Sequence, residues 1–370
     1  MGIAYMDHAA TSPMRPEAIA ALNEHLDVVG NPSALHRAGQ RARAVLEESR
    51  EQLAHVVGCQ PAEVVFTSGG SEADSMAVLG AWHTSGRDRC VISAIEHDAV
   101  LGAVERGAEA VPVTEAGVVD VEAAESLIDA HVGVVSVMMV NNETGIEQPV
   151  DAVRRLALKH GAWVHTDAVQ ALGHVPLHFA QLGVDMMSIS AHKLGGPVGI
   201  GALIVRRNIQ PTPLGLGGGQ ERGVRSGTGM VALAASFAAA ARVAVAQLDE
   251  EAARLRTFQA QIVDTLEALG ATVNTTLAPH APHIVNVTFP QIRAGDLLFL
   301  LDQRGVQASV GSACRAGVHQ PSKVLMAMGR SEDEAASTLR FSLGWSTTDA
   351  EVDLLCDELR RCLKLAQLAF

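Results

Sequence analysis

A primary amine and a thiol carry most of the chemical potential of this 370-residue chain. Lys193 closes the run Ser-Ala-His-Lys at 190–193, after an apolar, strand-like stretch at 185–190 and ahead of a glycine-rich turn. A lysine held at a strand end can form a Schiff base with a carbonyl cofactor. Cys314 lies in Val310-Gly-Ser-Ala-Cys-Arg-Ala-Gly, flanked by small residues. An exposed thiolate there can accept an atom from whatever such a cofactor activates. Arg315 beside it, and His319, would lower the ordinary thiol pKa of roughly 8.5 and raise the thiolate fraction. Taken alone, Cys314 also reads as a small buried hydrophobe.

Other polar clusters fall where strands are expected to end. Gly69, Gly70 and Ser71 follow a strand-like run at 63–67 and precede a helical pattern at 73–82. Glycines there let backbone N–H groups approach an anion, and the helix N-terminus adds positive potential. The lysine of a nucleotide P-loop is missing, so a phosphate monoester fits better than a triphosphate. Asp167 ends a strand at 162–166, where open α/β sheets bind ligands. A buried carboxylate there needs a cation, and a protonated pyridine nitrogen would serve. Gln170, three residues on, can point the same way. Asn141-Asn-Glu-Thr-Gly and His97 also follow strands. Each has an ordinary alternative: a turn at 69–71 and at 141–145, a helix cap at Asp167, a structural histidine at 97. Together they point to one site.

The elements that must hold these groups alternate. Helical periodicity covers 16–28, 33–57, 73–82 and 150–160, and short apolar runs fall at 63–67, 90–94, 133–140, 162–166 and 185–190. Such alternation predicts an α/β fold with a mostly parallel sheet covered on both faces. The run 201–206 returns after a short turn and is expected to pair antiparallel with 185–190. Residues 230–241 read as a buried alanine-rich helix, too short to span a bilayer. A long helix at 247–269 reads as a connector. Beyond it, strands at 284–289, 306–310 and 339–343 with helices at 294–304 and 349–368 suggest a smaller α+β domain. The expected division is a large domain at 14–248 and a small C-terminal domain at 249–370, joined by an N-terminal segment, 1–13.

Bulk properties narrow the partners. The chain is 48% hydrophobic and 19% charged, with 28 basic against 41 acidic residues and a net charge of −13. That balance argues against direct binding to nucleic acid or to an anionic membrane. The first residues carry no basic segment followed by an apolar core, so no secretory signal is expected. Cys59, Cys90, Cys314, Cys356 and Cys362 are scattered, without a Cys-x-x-Cys pair. Reduced cytoplasmic thiols are expected rather than a disulfide framework or zinc site. His280 and His283 lie among prolines and read as loop, not as a metal pair.

As a set, these motifs resemble the cysteine desulfurases of the class-V aminotransferase (fold type I) superfamily. The resemblance runs nearly end to end: Tyr5-Met-Asp-His-Ala-Ala-Thr, Gly30-Asn-Pro-Ser, Phe66-Thr-Ser-Gly-Gly-Ser-Glu, Glu96-His97, Asn141-Asn-Glu-Thr-Gly and His165-Thr-Asp-Ala-Val-Gln. It continues through Ser190-Ala-His-Lys, Gly217-Gly-Gly-Gln-Glu-Arg-Gly-Val-Arg-Ser-Gly-Thr, Gly311-Ser-Ala-Cys and Arg340-Phe-Ser-Leu-Gly. The implied fold is a large domain with a mostly parallel seven-stranded sheet and a smaller α+β C-terminal domain. Lys193 would carry pyridoxal 5′-phosphate. Gly70, Ser71, Ser190 and His192 would hold its phosphate, with Thr228 reaching it from the partner subunit of a homodimer. Asp167 would pair with the ring nitrogen, Gln170 with the ring oxygen, and His97 would stack on the ring and share in catalysis. Asn142 would contact cofactor and substrate, and Arg340, helped by Asn31, would take the substrate carboxylate. Ala73, Ser75, Ala191 and Arg315 depart from the usual family pattern. Ala191, where the family has glycine, requires a negative φ.

The implied reaction removes sulfur from L-cysteine, giving L-alanine and a persulfide on Cys314. The sulfur would pass to an acceptor protein, an iron–sulfur scaffold or a tRNA thiolation enzyme. Cys314 would be a metal ligand only transiently, through a cluster shared with that partner. Selenocysteine lyase and class-V transamination are the alternatives on the same cofactor, and a cofactor-free scaffold that binds a sulfur acceptor is the alternative outside enzymes.

Overall fold

The computed structural model describes residues 2–311 and 321–369. Cys314, Arg315 and His319 lie outside the described residues. The chain opens with a short strand, β1 (Ala4–Tyr5), and helices Pro16–His25 and Arg37–Val57. Seven strands follow: β2 (Val64–Thr67), β3 (Arg89–Ser93), β4 (Glu109–Val111), β5 (Val132–Ser136), β6 (Trp163–Asp167), β7 (Met186–Ser190) and β8 (Gly201–Val205). They form one sheet in the order β2-β8-β7-β6-β5-β3-β4. β8 is antiparallel to both its neighbours, so β2 runs the same way as the parallel set. The expected antiparallel return at 201–206 is therefore present. β2, β3, β5, β6 and β7 all end at the same edge.

Side chains alternate between the two faces of this sheet, as strand geometry dictates. Val64, Phe66, Val91, Val135 and Ile189 enter one buried cluster, whereas Val65, Cys90, Ile92, Val134 and Leu203 enter another on the opposite face. The alanine-rich helix Val231–Ala246 lies in the first cluster against helices Pro16–His25 and Arg37–Val57. Its small residues permit close approach, and Ser236 Oγ meets its hydrogen-bonding need at Ala18 O, 2.7 Å away. Among the described residues no single helix is long and apolar enough to cross a membrane.

A second core gathers the C-terminal part. β9 (Thr272–Val273), β10 (Ile284–Thr288), β11 (Val306–Gln307) and β12 (Thr338–Ser342) complete the strands. β12, β10 and β9 form an antiparallel sheet. The helix Leu248–Ala268 is more than a connector, because Leu255, Phe258, Ile262 and Leu266 are buried in this core. The N-terminus belongs here as well. β1 pairs parallel with β11, Ala4 and Met6 enter the same core, and Asp7 bridges to Ser342. The segment then crosses back to the large sheet, carrying Ala9 and Ala10 over the carboxyl ends of its strands.

Candidate active site

The strand ends named above enclose one cavity of ≈ 450 Å³. Lys193 enters it from a 3₁₀ turn, Ala191–Lys193, directly after β7. Ala191 is not among the non-glycine residues with positive φ, so its methyl is accommodated without backbone strain. Lys193 Nζ donates to Ala9 O at 2.6 Å and Ala10 O at 2.8 Å. Burial lowers its pKa to about 8, Arg340 adds to the effect, and Asp167 and Asp7 oppose it. The neutral, nucleophilic form is therefore far more accessible near neutral pH than in an exposed lysine.

One end of the cavity is built for an anion. Gly70 begins the helix after β2, and a Cβ there would lie 2.8 Å from Val169 Cγ2. Only glycine brings this backbone so close to the neighbouring loop. Ser71 lines the cavity beside it. Ser190 is buried at the end of β7, and its Oγ has no partner among the described residues. His192 also lines the cavity, with Nδ1 3.3 Å from Thr11 Oγ1, and burial lowers its pKa to about 4. A hydroxyl left unmet in a buried site calls for a ligand.

Carboxyl groups gather at the other end. Asp167 Oδ1 accepts the Val169 N–H at 2.8 Å. Burial raises its pKa, while His97, that N–H and Lys193 hold it down. Asp74 and Glu96 line the cavity too. Glu96 Oε1 accepts from Ser93 Oγ at 2.6 Å and Met138 N at 2.7 Å, and burial pushes its pKa up to about 8. Asp74 is driven well above the usual carboxylate range by burial and then by the charge of Asp167. Asp167 has the better anion partners, so it keeps the charge and Asp74 keeps the proton.

A buried relay backs this arrangement. Ser136 Oγ lies 2.8 Å from His165 Nδ1, and His165 Nε2 lies 2.9 Å from Ser188 Oγ, which hydrogen-bonds Asp74. The pKa of His165 is lowered to about 3 by burial. Its 3.7 Å approach to Asp74 is therefore a contact between two neutral groups, not an ion pair.

His97, Asn142, Gln170 and Arg340 also line the cavity. His97 caps the helix Asp98–Leu101, its Nδ1 accepting the Ala99 N–H at 3.1 Å. Gln170 Nε2 donates to Ala9 O at 2.9 Å. Arg340, buried on β12, donates from Nη1 to Asn142 O and from Nη2 to Asp7 Oδ1, both at 2.8 Å. Its buried Nε has no partner among the described residues. Asn31 does not join them. It is exposed outside the cavity, and its Oδ1 accepts the Ser33 N–H at 2.9 Å in a local turn. Thr228 is exposed and also outside this chain's cavity lining. Its loop is moored at Glu221, which pairs with Arg50 through two 2.8 Å contacts. The four described cysteines are poor nucleophiles: burial pushes Cys59 and Cys90 up to about 12 and raises Cys356 and Cys362.

Sequence reasoning missed Asp74 and Glu96, whose only signals are a position one helical turn after Gly70 and adjacency to His97. The residues present fit pyridoxal 5′-phosphate: a depressed lysine amine, an unmet hydroxyl beside a glycine-opened helix start, and a buried carboxylate opposite. Residues 4–355 match the aminotransferase class-V family. The chain belongs to that family. Its members use pyridoxal 5′-phosphate. An IscS-like cysteine desulfurase of Mycobacterium tuberculosis is 41% identical, with 99% of this chain and 98% of that protein covered. Among solved structures, a NifS-like protein superposes with a TM-score of 0.92 at 34% identity, covering 98% of this chain and 100% of that one. SspA in complex with cysteine superposes with a TM-score of 0.79 at 30% identity, covering 93% of this chain and 100% of that one. Arg340, on β12 of the C-terminal sheet, lines the same cavity as Lys193.

Proposed function

We propose that this class-V protein is a cysteine desulfurase. The observation that carries the reading is the convergence of the Lys193 amine, the Asp167 carboxylate and the anion cradle of Gly70, Ser71, Ser190 and His192 on one cavity. The M. tuberculosis relative is named for this activity, and the SspA neighbour was solved with cysteine. Pyridoxal 5′-phosphate supplies an electron sink that makes the Cα–H of a bound amino acid acidic.

The chain's own residues do the rest. Gly70, Ser71, Ser190 and His192 would hold the phosphate, Asp167 would pair with the ring nitrogen and Gln170 with the ring oxygen, and His97 would cover the ring face. Lys193 Nζ is both tether and base, and its depressed pKa suits it to accept the Cα proton near neutral pH. Arg340 orients the substrate α-carboxylate through Nε and a guanidinium already aligned by Asp7 and Asn142. Cys314 Sγ then takes the substrate sulfur: the C–S bond of L-cysteine breaks, an S–S bond forms on Cys314, and L-alanine leaves.

The exposed Thr228 suits a homodimer in which it completes the partner's phosphate site. The persulfide passes to an acceptor such as an iron–sulfur scaffold or a tRNA thiolation enzyme, where Cys314 ligates a shared cluster only during transfer. A cytoplasmic setting agrees with its thiol chemistry. With L-cysteine and a thiol reductant, the protein is expected to release L-alanine and sulfide in equal amounts. Pyruvate or an oxo acid in place of L-alanine would overturn the reading in favour of elimination or transamination.

A further inference from the structure

Behind the cavity lie three buried histidines, His8, His174 and His283. His174 comes from the turn after β6 and His283 is the residue before β10, so the pair joins the two cores. Their rings stack with centroids 3.8 Å apart and planes 11° from parallel. His283 Nε2 lies 3.3 Å from Gln170 Oε1. Because Gln170 Nε2 already donates to Ala9 O, its oxygen must be the atom facing His283. A carboxamide oxygen only accepts, so His283 Nε2 carries the proton. Its Nδ1, without a partner among the described residues, is then a bare lone pair rather than a stranded N–H.

The surroundings keep this ring neutral. Burial lowers the pKa of His283 well below the ordinary value, and His174, His8 and Arg340 all push in the same direction. His174 is lowered to about 4 by burial, with His8 and Arg15 adding to it and a hydrogen bond with the Lys193 backbone opposing. His8 is likewise lowered to about 4, by burial and then Arg254, and its Nδ1 lies 2.7 Å from Ser12 Oγ. The contacts form a chain: Lys193 Nζ and the Gln170 amide both donate to Ala9 O, Gln170 leans on His283, and His283 stacks on His174.

We propose that His283, steadied by the ring of His174, is a positioning residue: its Nε2–H locks the Gln170 amide so that the NH₂ group, not the oxygen, faces the cofactor. This inference rests on the reading of the cavity as a pyridoxal 5′-phosphate site. An N–H donated to the ring's phenolic oxygen stabilises negative charge there and makes the proton shared with the Lys193 linkage easier to lose. Without His283 the amide is held by Ala9 O alone, and each turn of it presents Oε1 to that oxygen, which repels it. The resting cofactor then holds its proton to higher pH.

The test is a pH titration of the visible absorption band of the holoenzyme in the absence of substrate. His283→Phe keeps an aromatic ring for the His174 stack but has no donor, and an upward shift of the midpoint by about one unit is expected. His283→Gln restores an N–H at similar reach and should titrate close to the wild-type protein. Gln170→Leu should shift as His283→Phe does, and the double variant should shift no further, because both act through one contact. Should His283→Phe fail to fold, His283→Asn serves: its amide is too short to reach Gln170 Oε1, and the same upward shift is expected. A donor-less variant that binds cofactor yet titrates at the wild-type midpoint overturns the proposal, as do fully additive shifts. Wild-type protein that takes up no cofactor overturns the functional reading, and this inference with it.

Discussion

Lys193→Ala is expected to abolish turnover of L-cysteine, with activity falling by at least ~10⁴-fold. The amine has two duties, and Lys323, the second lysine lining the cavity, is engaged with Asp98 at 2.9 Å. Arg340 is permanently charged, and the neutral histidine nearby, His192, sits at the phosphate end of the cavity. The variant also gives a structural readout. Wild-type apoprotein should form a borohydride-trappable linkage with pyridoxal 5′-phosphate at a rate that rises with pH to a plateau. Its midpoint is expected near pH 8, because the reacting form is the neutral amine and burial with Arg340 has brought Lys193 down to about 8. An ordinary lysine would still be gaining reactivity two units higher. Lys193→Ala should trap no cofactor at any pH. Trapping that survives in this variant would move the tether to another lysine.

Asp167→Asn is expected to lower activity by roughly 10²–10³-fold while leaving cofactor uptake measurable. The buried anion that stabilises a protonated ring nitrogen is lost, although the shape of the site is kept. Asp74→Asn provides the contrast. Asp74 lies in the same cluster, but burial and the charge of Asp167 already keep it protonated, so an amide replaces a neutral acid. Its cost should be far smaller. Equal losses in the two variants would mean that the charge is shared across the cluster and not held at Asp167.

Much of this architecture was legible in the sequence because its signals are local. The helix Val150–His160 carries its periodicity from end to end, and β7, Met-Met-Ser-Ile-Ser, is a short buried strand closely followed by His192 and Lys193. Placing the polar clusters at strand ends followed from those elements, and the sheet brings Gly70, Asp167, Ser190 and Lys193 to one edge. The failures were non-local. β1 is two residues long and exists only through β11, some three hundred residues away. The helix expected from residue 73 begins at Gly70, where propensity argues against helix but the bare backbone is needed beside Val169. Asn31 carries a turn-forming pattern, and its Oδ1 is engaged by the Ser33 N–H outside this chain's cavity lining. His283 read as loop among prolines, and nothing nearby in sequence announces Gln170 or His174. Glu96 and Asp74 look like surface carboxylates until the fold buries them.

The central claim is that sulfur from L-cysteine reaches one thiol. The measurement that addresses it most directly is mass analysis of peptides from holoenzyme treated briefly with L-cysteine, without reductant, and then alkylated. One added sulfur atom is expected on the peptide containing Cys314, matched by one L-alanine per persulfide, with loss of both in Cys314→Ser. L-Alanine formed with Cys314 unmodified, or sulfur found on Cys59, Cys90, Cys356 or Cys362 instead, would contradict it.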